Sequence, residues 1–210
     1  MKIELKNISK VFDNKTIFSD INKVFEQGKI YYIKGSSGSG KTTFLNVLST
    51  VAYPTTGNVI VEDKIIISEK DKEEFRKKSG FIYQNSFLLE ELTLEENVCF
   101  HKKYENTIIN HYAEQLNLLG EMNKPAGVLS VGERQRGNIL RALIKTPEII
   151  FADEPCASLD LENSEIILDI LEKFVSIEKK TLFYVGHEKN AVFREAEEII
   201  IRDGQIHFSF

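Results

Sequence analysis

The sequence predicts an α/β fold with a mainly parallel β-sheet at its centre. Short runs rich in β-branched and aromatic residues alternate with segments whose apolar positions recur at helical spacing. Several of these runs are apolar throughout, which is typical of strands in a parallel sheet covered on both faces. The chain has 210 residues, 42% of them hydrophobic, with no internal repeat or linker. We therefore expect a single domain spanning 1–210.

The first thirty residues predict short strands joined by turns. The opening stretch "MKIELKNISK" alternates apolar and polar residues, which favours a strand and not a signal peptide. The segment "FDNK", Phe12 to Lys15, suits a hairpin connection. This part of the chain is therefore predicted to be rich in β-structure.

Strands and helices are predicted to alternate along the remainder. Strand character is found in "KIYYIKG", "GNVIVEDKIIIS", "GFIYQ", "EIIFADEP", "TLFYVGH" and "EEIIIRDGQIHF". Helical spacing is found in "KTTFLNVLSTVA", in the charged segment "EKDKEEFRKKS", and from Leu88 to Lys145. The last of these predicts a helical insertion between core strands. Asp203 and Gly204 suit the two-residue turn of another hairpin.

The charge balance excludes some classes of partner. A net charge of −5 gives no basic surface of the kind that nucleic-acid binders use, so we expect no nucleic acid partner. No apolar run approaches the roughly 18 to 20 residues needed to cross a bilayer, so any membrane span must come from another chain. Cys99 and Cys156 have no metal-ligand spacing and are predicted to be packing thiols in a reducing compartment.

The segment "GSSGSGKT" fits the phosphate-loop pattern G-x-x-x-x-G-K-[ST], with a predicted strand before it and a helix after it. Glycines let consecutive backbone N–H groups point at phosphate oxygens without a side chain in the way. The Lys41 ammonium suits the β- and γ-phosphates, and the Thr42 hydroxyl suits Mg²⁺. The candidate nucleotide-binding residues are Gly35, Ser36, Ser37, Gly38, Ser39, Gly40, Lys41, Thr42 and the adjoining Thr43.

Two adjacent acids follow a buried strand in "IIFADEP". Asp153 suits a metal partner, and Glu154 can orient an attacking water. Farther upstream, "LSVGERQRGNILRA" has the serine and glycine of a helix N-terminus able to hold an anion. The chain is thus predicted to carry two separate phosphate sites.

Taken together, and in the order in which they occur along the chain, these motifs resemble those of ATP-binding cassette (ABC) ATPases over essentially the whole chain. "GSSGSGKT" resembles Walker A and "IIFADE" resembles Walker B. "LSVGERQR" is similar to the family signature LSGGQ, with Val131 in place of its first glycine. The resemblance implies a P-loop NTPase core, an N-terminal antiparallel β subdomain and a helical subdomain at about 88–145.

The resemblance also implies roles for individual residues. Glu154 is the general base, with Lys41, Gln84 and His187 as further catalytic residues; Thr42, Gln84 and Asp153 hold Mg²⁺; Phe12 stacks on adenine. His187 is matched through "TLFYVGHE" and can hydrogen-bond the γ-phosphate. Gln84 is matched through the Q-loop "YQNSFLLEELTLEENV", and Asp160 through the D-loop "ASLD".

In this family two copies dock head to tail, so the signature of one copy closes over the ATP of the other. Ser130, Gly132, Glu133 and Asp160 are therefore expected to contact the partner's nucleotide. The β-branched Val131 cannot adopt the conformations open only to glycine, so we expect an ordinary φ there. A loss of turnover through Val131 stays open as an alternative.

The resemblance predicts that ATP binding and hydrolysis drive transport. We expect the chain to be cytoplasmic and peripheral on the inner face of the membrane. Phe87, Leu88 and Leu89 lie where relatives expose an apolar groove to a membrane subunit. The resemblance is greatest to the lipoprotein-release, macrolide-export and bacteriocin-export group. A non-transport ABC ATPase is the alternative, although the interval from Thr43 to Val128 is too short for a long coiled coil and only one cassette is present. A phosphotransferase would need an acceptor pocket that the sequence does not indicate.

Overall fold

The computed structural model describes residues 1–100, 102–186, 193 and 195–209. Its strands are β1 Ile3–Phe12, β2 Lys15–Phe25, β3 Ile30–Lys34, β4 Thr56–Val61, β5 Lys64–Ile65, β6 Ser79–Ile82, β7 Ile149–Asp153, β8 Thr181–Val185, β9 Ala196–Arg202 and β10 Gln205–Ser209. Its α-helices are α1 Lys41–Leu48, α2 Glu69–Lys77, α3 Leu94–Val98, α4 Asn106–Gln115, α5 Val131–Leu143 and α6 Leu161–Ser176. Short 3-10 helices occupy Leu119–Glu121 and Ala126–Val128.

The N-terminal sheet is antiparallel, in the order β2-β1-β4-β5. The β1–β2 hairpin turns at Asp13 and Asn14, whose φ angles are 46° and 63°. Two left-handed residues in succession match the right-handed twist of the flanking strands, and Asp and Asn tolerate that conformation best among non-glycine residues. The predicted hairpin at "FDNK" is therefore confirmed.

The second sheet has six strands in the order β10-β9-β3-β8-β7-β6. Strands β9, β3, β8, β7 and β6 run parallel, and β10 returns antiparallel to β9. The predicted turn at Asp203 and Gly204 joins β9 to β10. The predicted fold class, with a mainly parallel sheet, is confirmed. Because the carboxyl ends of parallel strands share one edge, the segments that follow β3, β8, β7 and β6 lie side by side.

The central strands β3, β7 and β8 are buried on both faces, which explains why their sequences are almost entirely apolar. On β3, Tyr31 and Ile33 pack towards α1 and the N-terminal sheet. Their neighbours Ile30 and Tyr32 pack on the other face, towards α5 and α6. Strand side chains alternate between faces, so a strand covered on both sides needs an apolar residue at every position.

The chain between β6 and β7 contains α3, α4, α5 and both 3-10 helices. Leu94 of α3, Ala113 of α4 and Leu140 of α5 are all fully buried in one cluster, so these helices share a core with the sheet. Thr93 and Ser130 cap α3 and α5 through reciprocal bonds with a glutamate three residues later, which fixes where each helix starts.

Within the described part of the chain, no helix is both long enough and apolar enough to cross a membrane.

Candidate nucleotide site

The loop from Gly35 to Thr42 leaves the end of β3 and enters α1. Gly40, directly before α1, has a φ of +104°, and a Cβ there would come within 2.5 Å of Ile17 Cγ2. Gly38 has a φ of +73°, and a Cβ there would meet no atom within 4 Å. Glycine at position 40 lets the loop approach β2, while position 38 presents bare backbone to open space where a phosphate can approach it.

Lys41 lies inside this loop, only 6% exposed. Its ammonium donates hydrogen bonds to the carbonyl oxygens of Gly35 and Ser36, at 3.0 and 3.1 Å. The loop therefore encloses the Lys41 ammonium. A cavity of about 400 Å³ adjoins it, with walls formed by Lys15, Thr16, Ile17, Ser36, Ser37, Gly38, Ser39, Asp203 and Gly204.

Asp153 ends β7 and is 9% exposed. Burial raises the pKa of its carboxyl; the nearby Glu154 raises it further, while a hydrogen bond from the Thr42 hydroxyl and the charge of Lys41 lower it. Its Oδ1 is buried and has no hydrogen-bond partner among the described residues. An unpartnered buried carboxylate oxygen is costly unless a cation satisfies it. Hydroxyl and carboxylate oxygens are ligands that Mg²⁺ prefers, so Thr42 and Asp153 fit that ion.

Glu154 has a left-handed backbone, with a φ of +48°, directly before Pro155. Such a conformation costs about 1–3 kcal/mol in a non-glycine residue and is found most often at functional sites. Its N–H donates to the Val185 carbonyl at 3.0 Å. Its carboxylate accepts a hydrogen bond from Gln84 Nε2 at 3.4 Å. The structure therefore brings Gln84 and Glu154 together although they are 70 residues apart.

The turn at Ser130 begins α5. The Ser130 hydroxyl accepts from the Glu133 N–H at 3.2 Å, and the Glu133 carboxylate accepts from the Ser130 N–H at 2.7 Å. These bonds lower the pKa of Glu133. The N–H groups of Val131 and Gly132 donate to no described residue. Val131 is helical with an ordinary φ, as predicted, and its side chain is 57% exposed.

Asp160 caps α6, where it accepts from the backbone N–H of Asn163 at 2.8 Å. The hydrogen bonds from Asn163 lower the pKa of Asp160. Arg136 of α5 donates to Asn163 Oδ1 at 3.1 Å, so the start of α5 lies beside the start of α6. Within the described residues, no hydrogen bond joins Ser130, Glu133 or Asp160 to the loop at Gly35 to Thr42.

The remaining predicted site residues lie as follows. Phe12 ends β1 with its ring 49% exposed, and Lys10 Nζ lies 4.4 Å from the ring centroid. Phe87 and Leu89 are 65% and 47% exposed, whereas Leu88 is half-buried against the core. His187 lies outside the described residues.

Sequence reasoning missed a polar stripe on the inner face of α5. Gln135 and Asn138 are buried, and both donate from their amide nitrogens to the Tyr83 carbonyl, at 3.1 and 2.9 Å. Arg141 continues the stripe and donates to the Ser86 and Phe87 carbonyls. The available signal was the spacing of three positions between successive members, which puts them on one face of a helix that is otherwise apolar inside.

A glycine-rich loop between β3 and α1, with an acidic pair at the end of β7 in the same parallel sheet, defines a P-loop nucleoside triphosphatase. The family model described as ABC transporter matches residues 18–157. The chain belongs to this family, and it is an ATP-binding, ATP-hydrolysing ABC transporter subunit.

The chain is similar to individual relatives over nearly its whole length. It is 34% identical to the lipoprotein-releasing system ATP-binding protein LolD of Leptospira interrogans, over 97% of this chain and 90% of that one. It is also 34% identical to the bacitracin export ATP-binding protein BceA of Halalkalibacterium halodurans, over 98% and 87%. Its structure is similar to the dimeric post-hydrolysis structure of the ATP-binding cassette MJ0796 bound to ADP and Pi, with a TM-score of 0.89, 28% identity, and coverage of 98% and 96%.

Proposed function

We propose that two copies of this chain dock head to tail around two ATP molecules and drive a conformational change in a membrane partner. The observation that carries this proposal is the exposed turn at Ser130. It has two N–H groups with no described partner, on a helix that makes no hydrogen bond to the chain's own phosphate loop. A second copy supplies the phosphate that such a turn lacks. The similarity to a dimeric cassette supports the same arrangement.

The nucleotide is proposed to bind along the loop at Gly35 to Thr42, continuing to Thr43. Backbone N–H groups of the loop contact the phosphates, and Lys41 exchanges its bonds with the Gly35 and Ser36 carbonyls for bonds with phosphate oxygens. The exposed ring of Phe12 is proposed to stack on the adenine, since a partly exposed aromatic offers a face to a planar base.

Mg²⁺ is proposed to be held by Thr42, Asp153 and Gln84. When bound, the ion supplies charge neutralisation for the transferred phosphoryl group. The unpartnered Oδ1 of Asp153 supports this assignment, because the ion would offset the cost of burying that carboxylate.

Glu154 is proposed to orient a water for attack on the γ-phosphate and to accept its proton. The hydrogen bond from Gln84 supports this role, because it restricts the carboxylate to one orientation. His187 is proposed to hydrogen-bond the γ-phosphate. Lys41 neutralises charge that develops on the transferred group.

The signature turn is proposed to close over the nucleotide of the other copy. There the N–H groups of Val131 and Gly132, with Ser130 and Glu133, would face the γ-phosphate, and Asp160 would lie at the same interface. Hydrolysis would remove the phosphate that bridges the two copies and so release the closed state.

The membrane partner is proposed to dock near Phe87, Leu88 and Leu89. Two of these side chains are exposed although they are large and apolar, which is typical of an interaction site. The names of LolD and BceA describe release and export, and they support an association with the inner face of the membrane. We further propose that 1–210 forms one domain, with 88–145 as its helical subdomain.

The test of dimerisation combines two variants. Glu154→Gln should bind ATP and accumulate as an ATP-bound dimer in gel filtration, because closure proceeds while hydrolysis does not. Adding Ser130→Arg should return this variant to a monomer that still binds ATP, since the larger side chain blocks the turn at Ser130. Glu165→Gln, an exposed acid on α6, is the matched control and should turn over ATP normally. Normal turnover in Glu154→Gln, or a dimer that survives Ser130→Arg, would contradict the proposal.

A further inference from the structure

The buried amide of Gln135 donates hydrogen bonds to the backbone beside both members of the Gln84–Glu154 pair. The Gln135 side chain is 3% exposed, and its Nε2 donates to the Tyr83 carbonyl at 3.1 Å and to the Pro155 carbonyl at 3.1 Å. An amide nitrogen carries two hydrogens, so both are used. Only a donor suits this position, because an oxygen there would face two carbonyl oxygens.

The two carbonyls flank the proposed catalytic residues. Tyr83 directly precedes Gln84, and Pro155 directly follows Glu154. Neither segment is regular secondary structure, since β6 ends at Ile82 and β7 ends at Asp153. The sheet therefore brings the two segments side by side but does not fix the backbone beyond the strand ends. Gln135 provides that link, from a helix whose N-terminal cap, Ser130, lies five residues earlier.

The backbone at Glu154 needs such a link. Its φ of +48° before a proline is a strained conformation, and a strained residue persists only where its surroundings hold it. Three described hydrogen bonds restrain the backbone here: the Glu154 N–H donates to the Val185 carbonyl, the Glu154 carbonyl accepts from the Ala157 N–H at 3.1 Å, and the Pro155 carbonyl accepts from Gln135. Of these three, the bond from Gln135 ties the turn to α5.

The same helix face extends the link along the Q-loop. Asn138 is fully buried; its amide nitrogen donates to the Tyr83 carbonyl, and its Oδ1 accepts from Arg141. Arg141 in turn donates to the Ser86 carbonyl at 2.9 Å and the Phe87 carbonyl at 3.1 Å. Backbone on both sides of Gln84 is thus bonded to α5, the helix whose first turn contains Ser130.

We propose that Gln135 is a positioning residue for ATP hydrolysis, which sets the Glu154 carboxylate and the Gln84 amide in one geometry relative to the signature turn. It acts through Glu154 and Gln84 and contacts no nucleotide. This inference rests on the proposed roles of those two residues. It implies that the turn at Ser130, when it engages a second copy, moves with the catalytic pair as one unit.

The test uses Gln135→Met in the full-length chain, because methionine has nearly the same length and cannot donate a hydrogen bond. Amide hydrogen exchange without nucleotide should speed up about tenfold at Glu154, since one hydrogen bond of the turn is lost. The kcat should fall about tenfold to a hundredfold through misplacement of the water-orienting carboxylate, while the Kd for ATP stays within twofold. Ile139→Val, a buried change on the same helix, is the control for general loss of stability.

Three results would overturn the inference. The first is unchanged exchange at Glu154 in a folded Gln135→Met. The second is an equal loss of kcat in Ile139→Val. The third is a further loss of residual turnover when Gln135→Met is added to a chain that already carries Gln84→Ala and Glu154→Gln, since a residue acting through those two side chains then has nothing left to position. If Gln135→Met does not fold, Gln135→Leu is smaller, also cannot donate a hydrogen bond and should give the same pattern. A separate measurement tests the proposed role of Glu154 itself: normal turnover in Glu154→Gln alone would contradict that role, whatever the result for Gln135.

Discussion

The Glu133 carboxylate accepts a hydrogen bond from the Ser130 backbone N–H across 2.7 Å. This bond caps α5, and it also puts a negative charge on the turn proposed to meet a phosphate. The hydrogen bonds to Ser130 lower the pKa of Glu133, so the carboxylate stays charged at neutral pH. A helix N-terminus attracts anions through its free N–H groups, and a fixed carboxylate there competes with that attraction.

Glu133→Gln is therefore expected to tighten the ATP-bound dimer. The glutamine oxygen can still accept from the Ser130 N–H, so the cap is kept while the charge is removed. We expect the dimer dissociation constant, measured in the Glu154→Gln background by sedimentation, to fall about twofold to fivefold, because the interaction of a charge with a helix terminus is worth about 0.3–1 kcal/mol. Glu162→Gln, on the first turn of α6, is the control and should leave the constant unchanged. A weaker dimer in Glu133→Gln would show that the carboxylate itself is needed.

Lys41→Ala is expected to abolish tight ATP binding. The substitution removes the ammonium that the loop encloses and leaves the Gly35 and Ser36 carbonyls without their donor. A charged hydrogen bond to phosphate contributes about 1.5–3 kcal/mol, so titration calorimetry should show at least a tenfold rise in Kd. Lys15→Ala, in the wall of the cavity that adjoins the loop, is the control and should bind ATP nearly normally. An unchanged Kd in Lys41→Ala would refute the assignment of the phosphate loop.

Asp153→Asn is expected to stabilise the nucleotide-free chain at neutral pH. Because burial raises the pKa of Asp153, the folded state binds the proton more tightly than the unfolded state. The ionised carboxylate therefore lowers stability at pH values above its folded pKa, and the penalty fades as the pH falls through that value. Removal of the charge should raise the free energy of unfolding by about 1 kcal/mol at pH 7, measured by urea denaturation.

The same variant should lose the stabilisation that magnesium and ATP give to the wild type, because its amide is a poor replacement for a carboxylate ligand. Asp169→Asn, which breaks an exposed ion pair with Lys173, is the control and should change stability by less than about 0.5 kcal/mol. If Asp153→Asn lowers the free energy of unfolding at neutral pH, the inference that the buried Asp153 Oδ1 is unpaired is wrong.

Phe87→Ser combined with Leu89→Ser is expected to weaken attachment to membranes without reducing ATP hydrolysis by the isolated chain. Phe87 is 65% and Leu89 47% exposed, so their truncation removes less internal packing than truncation of a core residue would. Co-sedimentation of the variant with membranes of the source cells should fall at least fivefold, in keeping with the roughly 1.5–3 kcal/mol that a large apolar side chain contributes when it is buried. Ile177→Ser, equally apolar and 73% exposed just beyond α6, is the control for non-specific adhesion. Equal loss in that control would remove the docking assignment.

Much of the architecture followed from local chemistry. The central strands β3, β7 and β8 are apolar at nearly every position, and the Asp13–Asn14 and Asp203–Gly204 pairs have the residue types that left-handed turns require. These signals lie within a few neighbouring residues, so a single sequence displays them. The ordinary backbone at Val131 was predictable for the same reason, because a β-branched residue excludes the alternatives.

The sequence by itself determined the fold class, the phosphate loop and the membership of an ATPase family, since each depends on residue types at fixed short spacing. Only the tertiary structure decided which distant groups meet: the bond between Gln84 and Glu154, the strained backbone before Pro155, and the buried amide of Gln135 that holds both segments. The physical reason is that a hydrogen bond between groups far apart in the chain depends on strand order and helix packing. Neither of these is written in the spacing of residues along any one segment.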